Sequence, residues 1–137
     1  MKVDIRLENP GLATRSDLFA RVARFLCEAA ILSNRDYIAS MLKRSRPVPK
    51  LYASGVQYKN EPPGQPDWCV DIPVILRRRW GDCLHLCAWR VAELREQNEN
   101  AQVRMYWIHP APNQRIFHVQ VRRADGSIED PSRKLGM

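Results

Sequence analysis

The sequence predicts an α+β domain in which N-terminal helices and a central helix that carries Cys83 pack on a small C-terminal antiparallel sheet. Apolar residues recur at helical spacing before residue 97 and alternate with polar residues after residue 101. Helices therefore come first and strands second, which is an order typical of this fold class. A length of 137 residues suits one domain with a hydrophobic core, so we take residues 1–137 as a single domain.

Residues 1–45 are predicted to be mainly helical. Alternating apolar residues at 3–7 first indicate a short edge strand. Helical spacing then predicts a helix over 17–32, with Thr14 at the start of a capping box. Asn34 is expected to cap a second helix. The proline-rich segment RPVPK (46–50) is expected to end this helix.

The middle of the chain is predicted to hold a strand at 51–58, a loop at 59–68 and two helices. Asp71 is expected to cap the first of these helices, which is short and covers 72–79. The second helix, over 83–97, has the clearest helical pattern in the chain. Its predicted apolar face consists of Leu84, Cys87, Ala88, Val91 and Leu94.

The last part of the chain is predicted to form the antiparallel sheet. The segments QVRMYWIH (102–109) and RIFHVQVRR (115–123) alternate between apolar and polar residues, as half-buried strands do. ADGS then indicates a tight turn, and IEDPS indicates a third strand that stops at Pro131.

Charge and composition limit the partners that we expect. The formal net charge is +7, and arginine supplies 17 of the 22 basic residues, which favours anionic partners. Because the arginines are scattered, a solvated surface or a contact with an acidic protein is expected rather than specific nucleic-acid binding. The apolar runs are far shorter than the roughly 18 residues of a membrane span, so no membrane contact is expected. The N-terminus lacks an apolar signal segment, which predicts a cytoplasmic protein with free thiols.

Cys83, in the segment WGDCLH, is the main candidate for chemistry. A thiol attacks as its thiolate, and an ordinary pKa of about 8.5 leaves little of it ionised at neutral pH. The N-terminus of a helix stabilises a thiolate, and Cys83 stands at the predicted start of a helix. Asp82 opposes ionisation unless its side chain caps this helix, which is the arrangement that we expect. Cys27 and Cys87 are expected to be buried core residues.

A zinc site is an alternative interpretation of the same segment. It would combine Cys69, Cys83, His85 and Cys87. Cys83 and Cys87 share one helix face, but His85 points away, and the paired Cys-x-x-Cys knuckles of ordinary zinc sites are missing. No metal and no cofactor is therefore expected.

His118 is the histidine expected to activate Cys83. His85 follows Cys83 by two residues, and such positions do not face each other on a helix. His109 lies in a predicted loop, where its direction is unconstrained. His118 lies within an apolar strand, where a histidine indicates a role, with a structural histidine as the alternative.

Asp130 meets His118 in only one register of the predicted hairpin. If ADG forms a three-residue loop with Gly126 in a left-handed conformation, Gln120 pairs with Asp130. His118 is then a diagonal neighbour of Asp130 on the same face of the sheet. A two-residue turn at Asp125 and Gly126 would instead place the two side chains on opposite faces.

Three segments resemble the transglutaminase-like superfamily of papain-fold cysteine enzymes. VILRRRWGDCLHLCAWRVAELRE is similar to its nucleophile region, FHVQV to its histidine strand and EDPS to its Asp-Pro strand; together they cover about residues 70–133. The resemblance implies Cys83 as the nucleophile, His118 as the general base and acid, and Asp130 as the residue that orients the histidine. It also implies acyl transfer through a thioester on a protein or peptide substrate, ending in amide hydrolysis or in crosslinking to an amine.

The resemblance further implies an oxyanion hole that uses the backbone N–H of Cys83 and a second donor. Trp80 and Gln57 are the candidates for that donor, and Trp80 is expected at the mouth of the site. Small domains of this superfamily also occur in bacteriophage and bacterial proteins with no known turnover. The alternative function is therefore a catalytically silent domain with a structural or assembly role, for example inside a bacteriophage particle.

Overall fold

The structure, a computed structural model, describes residues 9–62 and 69–137. It is an α+β fold, as predicted, in which helices pack against a three-stranded antiparallel sheet near the end of the chain. The predicted edge strand at 3–7 and residues 63–68 of the predicted loop lie outside the described residues. None of the described helices is long and apolar enough to cross a membrane.

The N-terminal part forms a short helix, α1 (Gly11–Thr14), and one long helix, α2 (Ser16–Lys43). The prediction that Asn34 separates two helices is wrong. Asn34 is fully buried within α2, and its Oδ1 accepts a hydrogen bond of 2.8 Å from the backbone N–H of Ile72. Because a distant amide engages this oxygen, the side chain does not compete for the backbone of its own helix, and α2 continues.

The start of α2 also differs from the prediction. Arg15 holds the N-cap position in an extended conformation and makes no side-chain cap, so the predicted capping box at Thr14 does not form. The Thr14 hydroxyl instead donates to the carbonyl oxygen of Gly11, at 3.4 Å, within α1. The predicted stop is confirmed, since α2 ends just before Ser45, which has a φ of 56°.

The segment after α2 is less extended than predicted. It forms a 3₁₀ turn (Leu51–Ala53), strand β1 (Gln57–Tyr58), helix α3 (Ile72–Arg78) and strand β2 (Trp80–Gly81). The strand predicted over 51–58 is therefore limited to its last two residues. The Ser54 hydroxyl donates to the Leu51 carbonyl oxygen at 2.6 Å, which closes the turn. β1 then pairs in parallel with β2, with Gln57 opposite Trp80.

The start of α3 is held by α2. Asp71 occupies the N-cap position of α3, as predicted, but it makes no side-chain cap hydrogen bond. Its carboxylate accepts from the Ser33 hydroxyl at 3.1 Å, and Asn34 supplies the acceptor for the Ile72 amide. Two neighbouring side chains of α2 therefore position α3, which leads into β2.

Replacing Asn34 with alanine is expected to lower the free energy of unfolding by about 1–3 kcal/mol, because the buried Ile72 N–H loses its acceptor. Urea denaturation followed by far-ultraviolet circular dichroism measures the change. Ser33→Ala is the matched control, since the Ser33–Asp71 hydrogen bond is exposed, and it should cost less than about 1 kcal/mol. Equal losses in the two variants would contradict this role of Asn34.

Helix α4 (Cys83–Glu96) lies at the centre of the fold. The prediction of one apolar face is too narrow, because α4 has two buried sides. Leu86 and Trp89 on one side join the apolar cluster that includes Ile72 of α3. The residues on the other side, which join the cluster with α2 and the sheet, are Cys87, Ala88, Val91, Ala92 and Leu94. Contacts on both sides hold the N-terminus of α4 in place.

The sheet has the register that the sequence predicts for its second hairpin. Its strands are β3 (Gln102–Ala111), β4 (Gln114–Arg122) and β5 (Ile128–Glu129), in the order β3-β4-β5. Arg122 pairs with Ile128, and the Arg123 N–H donates to the Ser127 carbonyl oxygen at 2.8 Å. Gly126 has a φ of 86°, which is the left-handed conformation that favours glycine. The loop therefore has three residues, as predicted.

Candidate functional site

The hairpin register brings His118 and Asp130 into direct contact. His118 lies in β4, and Asp130 follows β5 as the N-cap of a short helix, α5 (Pro131–Lys134). His118 Nε2 lies 2.9 Å from Asp130 Oδ2, and the side-chain amide of Gln120 donates to the same oxygen at 3.0 Å. The predicted diagonal contact is therefore present.

Asp130 is held as a carboxylate. Its Oδ1 accepts from the Arg133 N–H at 3.2 Å, and the Arg133 Nε lies 3.6 Å from Oδ2. Burial acts to raise the pKa of Asp130, but hydrogen bonds from His118, Gln120 and the Arg133 N–H outweigh it and hold the pKa below its ordinary value. A carboxylate at Nε2 favours a ring proton on that nitrogen. The neutral imidazole then has its lone pair on Nδ1, where it can accept a proton.

Cys83 is the first residue of α4, as predicted, and Asp82 caps this helix. Asp82 Oδ1 accepts from the His85 N–H at 3.0 Å, and the Asp82 N–H donates to His85 Nδ1 at 3.3 Å. These two hydrogen bonds form a capping box. The expected role of Asp82 is confirmed, and the side chain of His85 contributes to the same helix start.

The sulfur of Cys83 lies against β4 at the residue that follows His118. The backbone N–H of Val119 lies close enough to this sulfur to act against the increase in the pKa of Cys83. Cys87, one turn later in α4, donates from its sulfur to the Val119 carbonyl oxygen at 3.3 Å. Val119 directly follows His118 in β4, so the sulfur of Cys83 lies near the backbone of the strand that carries the histidine.

The charge state of Cys83 is set by burial more than by the helix N-terminus. Burial raises the pKa of Cys83 to about 12, and the neighbouring carboxylate of Asp82 adds to the increase. The N–H groups of Val119 and of the helix start act in the opposite direction but do not outweigh burial. Cys83 is therefore a thiol at neutral pH, and its attack on a substrate requires a base that takes the proton.

Tyr106, which the sequence analysis did not select, covers His118. It is the cross-strand partner of His118, and the two rings meet edge to face with their centroids 5.7 Å apart. His118 is only 4% exposed as a result of these contacts. The alternating pattern in the sequence indicates two strands, but only the register between β3 and β4 shows that Tyr106 and His118 lie opposite each other.

Tyr58 is a second residue near the site that the sequence analysis missed. Burial raises its pKa, and the nearby ionisable groups of Cys83, Asp82 and Asp130 raise it further. Its hydroxyl donates to Asn60 Oδ1 at 2.5 Å. No local pattern indicates Tyr58, because only the parallel pairing of β1 with β2 places it beside the start of α4.

The two candidates for the second oxyanion donor are neighbours on the β1–β2 pair. Gln57 is exposed, and Trp80 is half-buried opposite it. The Trp80 ring is covered by the guanidinium of Arg78, 3.7 Å from the ring centroid, and by the ammonium of Lys59 at 5.4 Å. Trp80 precedes Cys83 by three residues, and Gln57 is the partner of Trp80 on the neighbouring strand. An oxyanion role for either residue stays a prediction.

A cluster of potential metal ligands lies next to the start of α4. Among the described residues, Glu61, Asp82 and His85 form the one group of acidic, histidine or cysteine side chains compact enough for a metal ion. The guanidinium of Arg78 lies within this group, 3.1 Å from Glu61 Oε1 and 2.9 Å from His85 Nδ1. The zinc set considered from the sequence does not form such a group within the same part of the chain.

An apolar groove of about 480 Å³ lies elsewhere on the molecule, between α2 and the end of α4. Phe25, Leu32 and Arg95 are among the residues that line it. Arg95 is about 18 Å along the helix axis from Cys83. The groove is therefore separate from the candidate site.

Comparison of the chain with protein-family models, with curated proteins and with solved structures found no match.

Proposed function

We propose that the protein is a transglutaminase-like cysteine enzyme that acts on amide bonds of a protein or peptide. Cys83 is the nucleophile, His118 the base and acid, and Asp130 the residue that orients the histidine. The observation that carries the proposal is the 2.9 Å contact between His118 Nε2 and Asp130 Oδ2, with the Cys83 sulfur against the next amide of β4. The His118–Asp130 contact supports the proposed base and orienting group, and the position of Cys83 against the same strand supports the proposed nucleophile.

The first step transfers a proton and forms a bond. The Cys83 sulfur attacks the carbonyl carbon of the substrate as its proton moves to His118 Nδ1, and the carbonyl electron pair moves onto oxygen. The raised pKa of Cys83 makes this proton transfer essential. The negative charge of Asp130 stabilises the imidazolium ion, and the Cys83 N–H at the helix start can donate to the oxyanion.

The second step releases an amine. The imidazolium ion gives its proton to the nitrogen of the substrate as the C–N bond breaks, which leaves a thioester on Cys83. Water or a second amine then attacks the thioester carbon, with His118 as the base, and the sulfur leaves and recovers its proton. Water completes hydrolysis of the amide, and an amine completes a crosslink.

The proposed thioester can be trapped. Incubation with a peptide that carries a C-terminal p-nitrophenyl ester is expected to add one acyl group to the protein, observed by intact-mass spectrometry and mapped to Cys83. Hydroxylamine should remove the group as a hydroxamate, because it cleaves thioesters. Cys69→Ser, which removes another half-buried thiol, should acylate normally, whereas Cys83→Ser should not. Equal acylation of wild-type protein and Cys83→Ser would contradict the proposal.

A catalytically silent domain with an assembly role is the second candidate. The burial of Cys83 and its raised pKa favour this alternative, because an enzyme must expose its nucleophile to substrate. The Cys83→Ser variant of such a domain should assemble normally. It should lose assembly with an acidic partner when exposed arginines such as Arg77 and Arg79 are replaced. Acylation of Cys83 in the trapping experiment would exclude a silent domain.

A further inference from the structure

The sheet has two faces of different character. Side chains of successive residues point to opposite faces, and Val103, Val119 and Val121 point from one face into the apolar core. The opposite face carries four cross-strand pairs of β3 and β4, which are Gln102 with Arg122, Arg104 with Gln120, Tyr106 with His118 and Ile108 with Ile116. His118 therefore belongs to the face that points away from the core.

An exposed apolar strip begins at His118 on this face. We define the strip as Tyr106, Ile108 and Ile116. Ile108 is 36% exposed and Ile116 is 48% exposed. Ile116 precedes His118 by two residues, which is about 6.8 Å along an antiparallel strand. Tyr106 contacts the His118 ring and so connects the isoleucine pair with the candidate catalytic histidine.

An arginine flanks the strip. Arg104 lies on the same face, and its guanidinium is 4.6 Å from the centroid of the Tyr106 ring. β3 and β4 contain no Asp or Glu, and the next exposed cation on this face, Arg122, lies at the far end of the sheet. A ligand on this face therefore gains from apolar side chains over the strip and from acidic side chains beside Arg104.

We propose that the apolar strip binds an extended polypeptide substrate through a large apolar side chain that lies two residues from the reacting amide and is flanked by acidic residues. An extended chain advances by the same ~6.8 Å over two residues. With its reacting carbonyl at Cys83 and His118, the substrate therefore places this side chain over the isoleucine pair. The inference rests on the proposed function and assigns its substrate class.

Peptide binding to the Cys83→Ser variant of the full chain tests the strip as a binding surface, because this variant cannot turn over a substrate. The probe is a fluorescein-labelled peptide of sequence Glu-Leu-Glu-Gln-Gly, and the comparison peptide has Ser in place of Leu. Fluorescence polarisation is expected to show roughly tenfold tighter binding of the Leu peptide, the size typical of one buried apolar side chain. A third peptide with Lys in place of both Glu residues should bind more weakly than the Leu peptide.

Variants of the sheet face locate the bound peptide. Adding Ile116→Ser or Ile108→Ser should weaken binding of the Leu peptide roughly tenfold and abolish its preference over the Ser peptide. Ile128→Ser is the matched control. Ile128 is 44% exposed and pairs with Arg122, on the same face but at the far end of the sheet, so this change should leave binding within twofold. All three sites are exposed, so the fold should survive each change.

The outcomes separate this inference from the proposed function. Equal binding of the Leu and Ser peptides, or equal losses in Ile128→Ser and Ile116→Ser, would overturn the strip as a subsite. If the strip binds the Leu peptide but wild-type Cys83 takes no acyl group from the activated ester, the proposed catalysis fails while the binding surface stands. If Cys83 is acylated but the isoleucine variants bind normally, the substrate class fails alone.

Discussion

Replacing His118 with alanine is expected to slow the alkylation of Cys83 by iodoacetamide at neutral pH on the order of 100-fold, the size typical of losing a general base. Burial raises the pKa of Cys83 to about 12, so very little thiolate forms at neutral pH unless a base takes the proton. His118 is the proposed base, and its contact with Asp130 through Nε2 leaves Nδ1 to accept the proton. Mass spectrometry of the peptide that contains Cys83, sampled over time, measures the rate.

The control for this variant is His109→Ala. His109 is an exposed histidine of the same β3–β4 hairpin, and its loss should change the rate by less than about twofold. In the His118→Ala variant the residual rate should still be rising at pH 10, because the pKa of Cys83 is about 12. Equal alkylation rates of Cys83 in the wild-type protein and His118→Ala would contradict the role of His118 as a base.

Replacing Glu129 with alanine is expected to lower the free energy of unfolding by about 3 kcal/mol, because a buried ion-pair network loses its central carboxylate. Glu129 is 7% exposed, and its two oxygens accept from Arg90 Nε at 2.7 Å and from Arg123 Nη1 at 3.0 Å. The Tyr52 hydroxyl also donates to it. Urea denaturation measures the loss.

An exposed ion pair provides the control for Glu129. Glu28 pairs with Arg95 at 3.0 Å, but 46% of its side chain is exposed. Glu28→Ala should therefore cost less than about 1 kcal/mol. A similar loss in the two variants would show that burial does not distinguish these pairs. Glu129 also precedes Asp130, so the network that it anchors holds β5 in the register that the candidate site needs.

The stabilisation by Glu129 should depend on pH in a defined direction. Burial acts to raise its pKa, but hydrogen bonds from Arg90 and Tyr52 hold the pKa below its ordinary value. A carboxyl whose pKa is lower in the folded state stabilises the fold above its unfolded pKa of about 4.3, and this stabilisation is lost as pH falls through the folded value. The stability difference between the wild-type protein and Glu129→Gln is therefore expected to shrink below about pH 4.

Features that depend on neighbouring residues were predictable from the sequence. The start of α4 at Cys83 and its cap by Asp82 were predicted, because capping acts over three residues. The register that joins His118 to Asp130 was predicted as well, because a three-residue loop with Gly126 in a left-handed conformation determines the strand pairing.

Features that depend on distant partners were predicted wrongly. Asn34 has the chemistry of an N-cap, but the Ile72 amide takes its oxygen, and one helix replaces two. The first three residues of the strand predicted over 51–58 form a 3₁₀ turn instead, and Leu51 joins the apolar cluster that includes Leu86 and Trp89 of α4. In both places a contact across the fold outweighed a local preference.

By itself the sequence determined the α+β order, the helix that begins at Cys83 and the hairpin that makes His118 a diagonal neighbour of Asp130, because short-range geometry decides each of them. Only the tertiary structure decided that Cys83 rests as a thiol, since its pKa depends on burial by several elements at once. Only the tertiary structure placed Tyr58 and Tyr106 around the site, because each lies in a strand whose position depends on pairing with another segment.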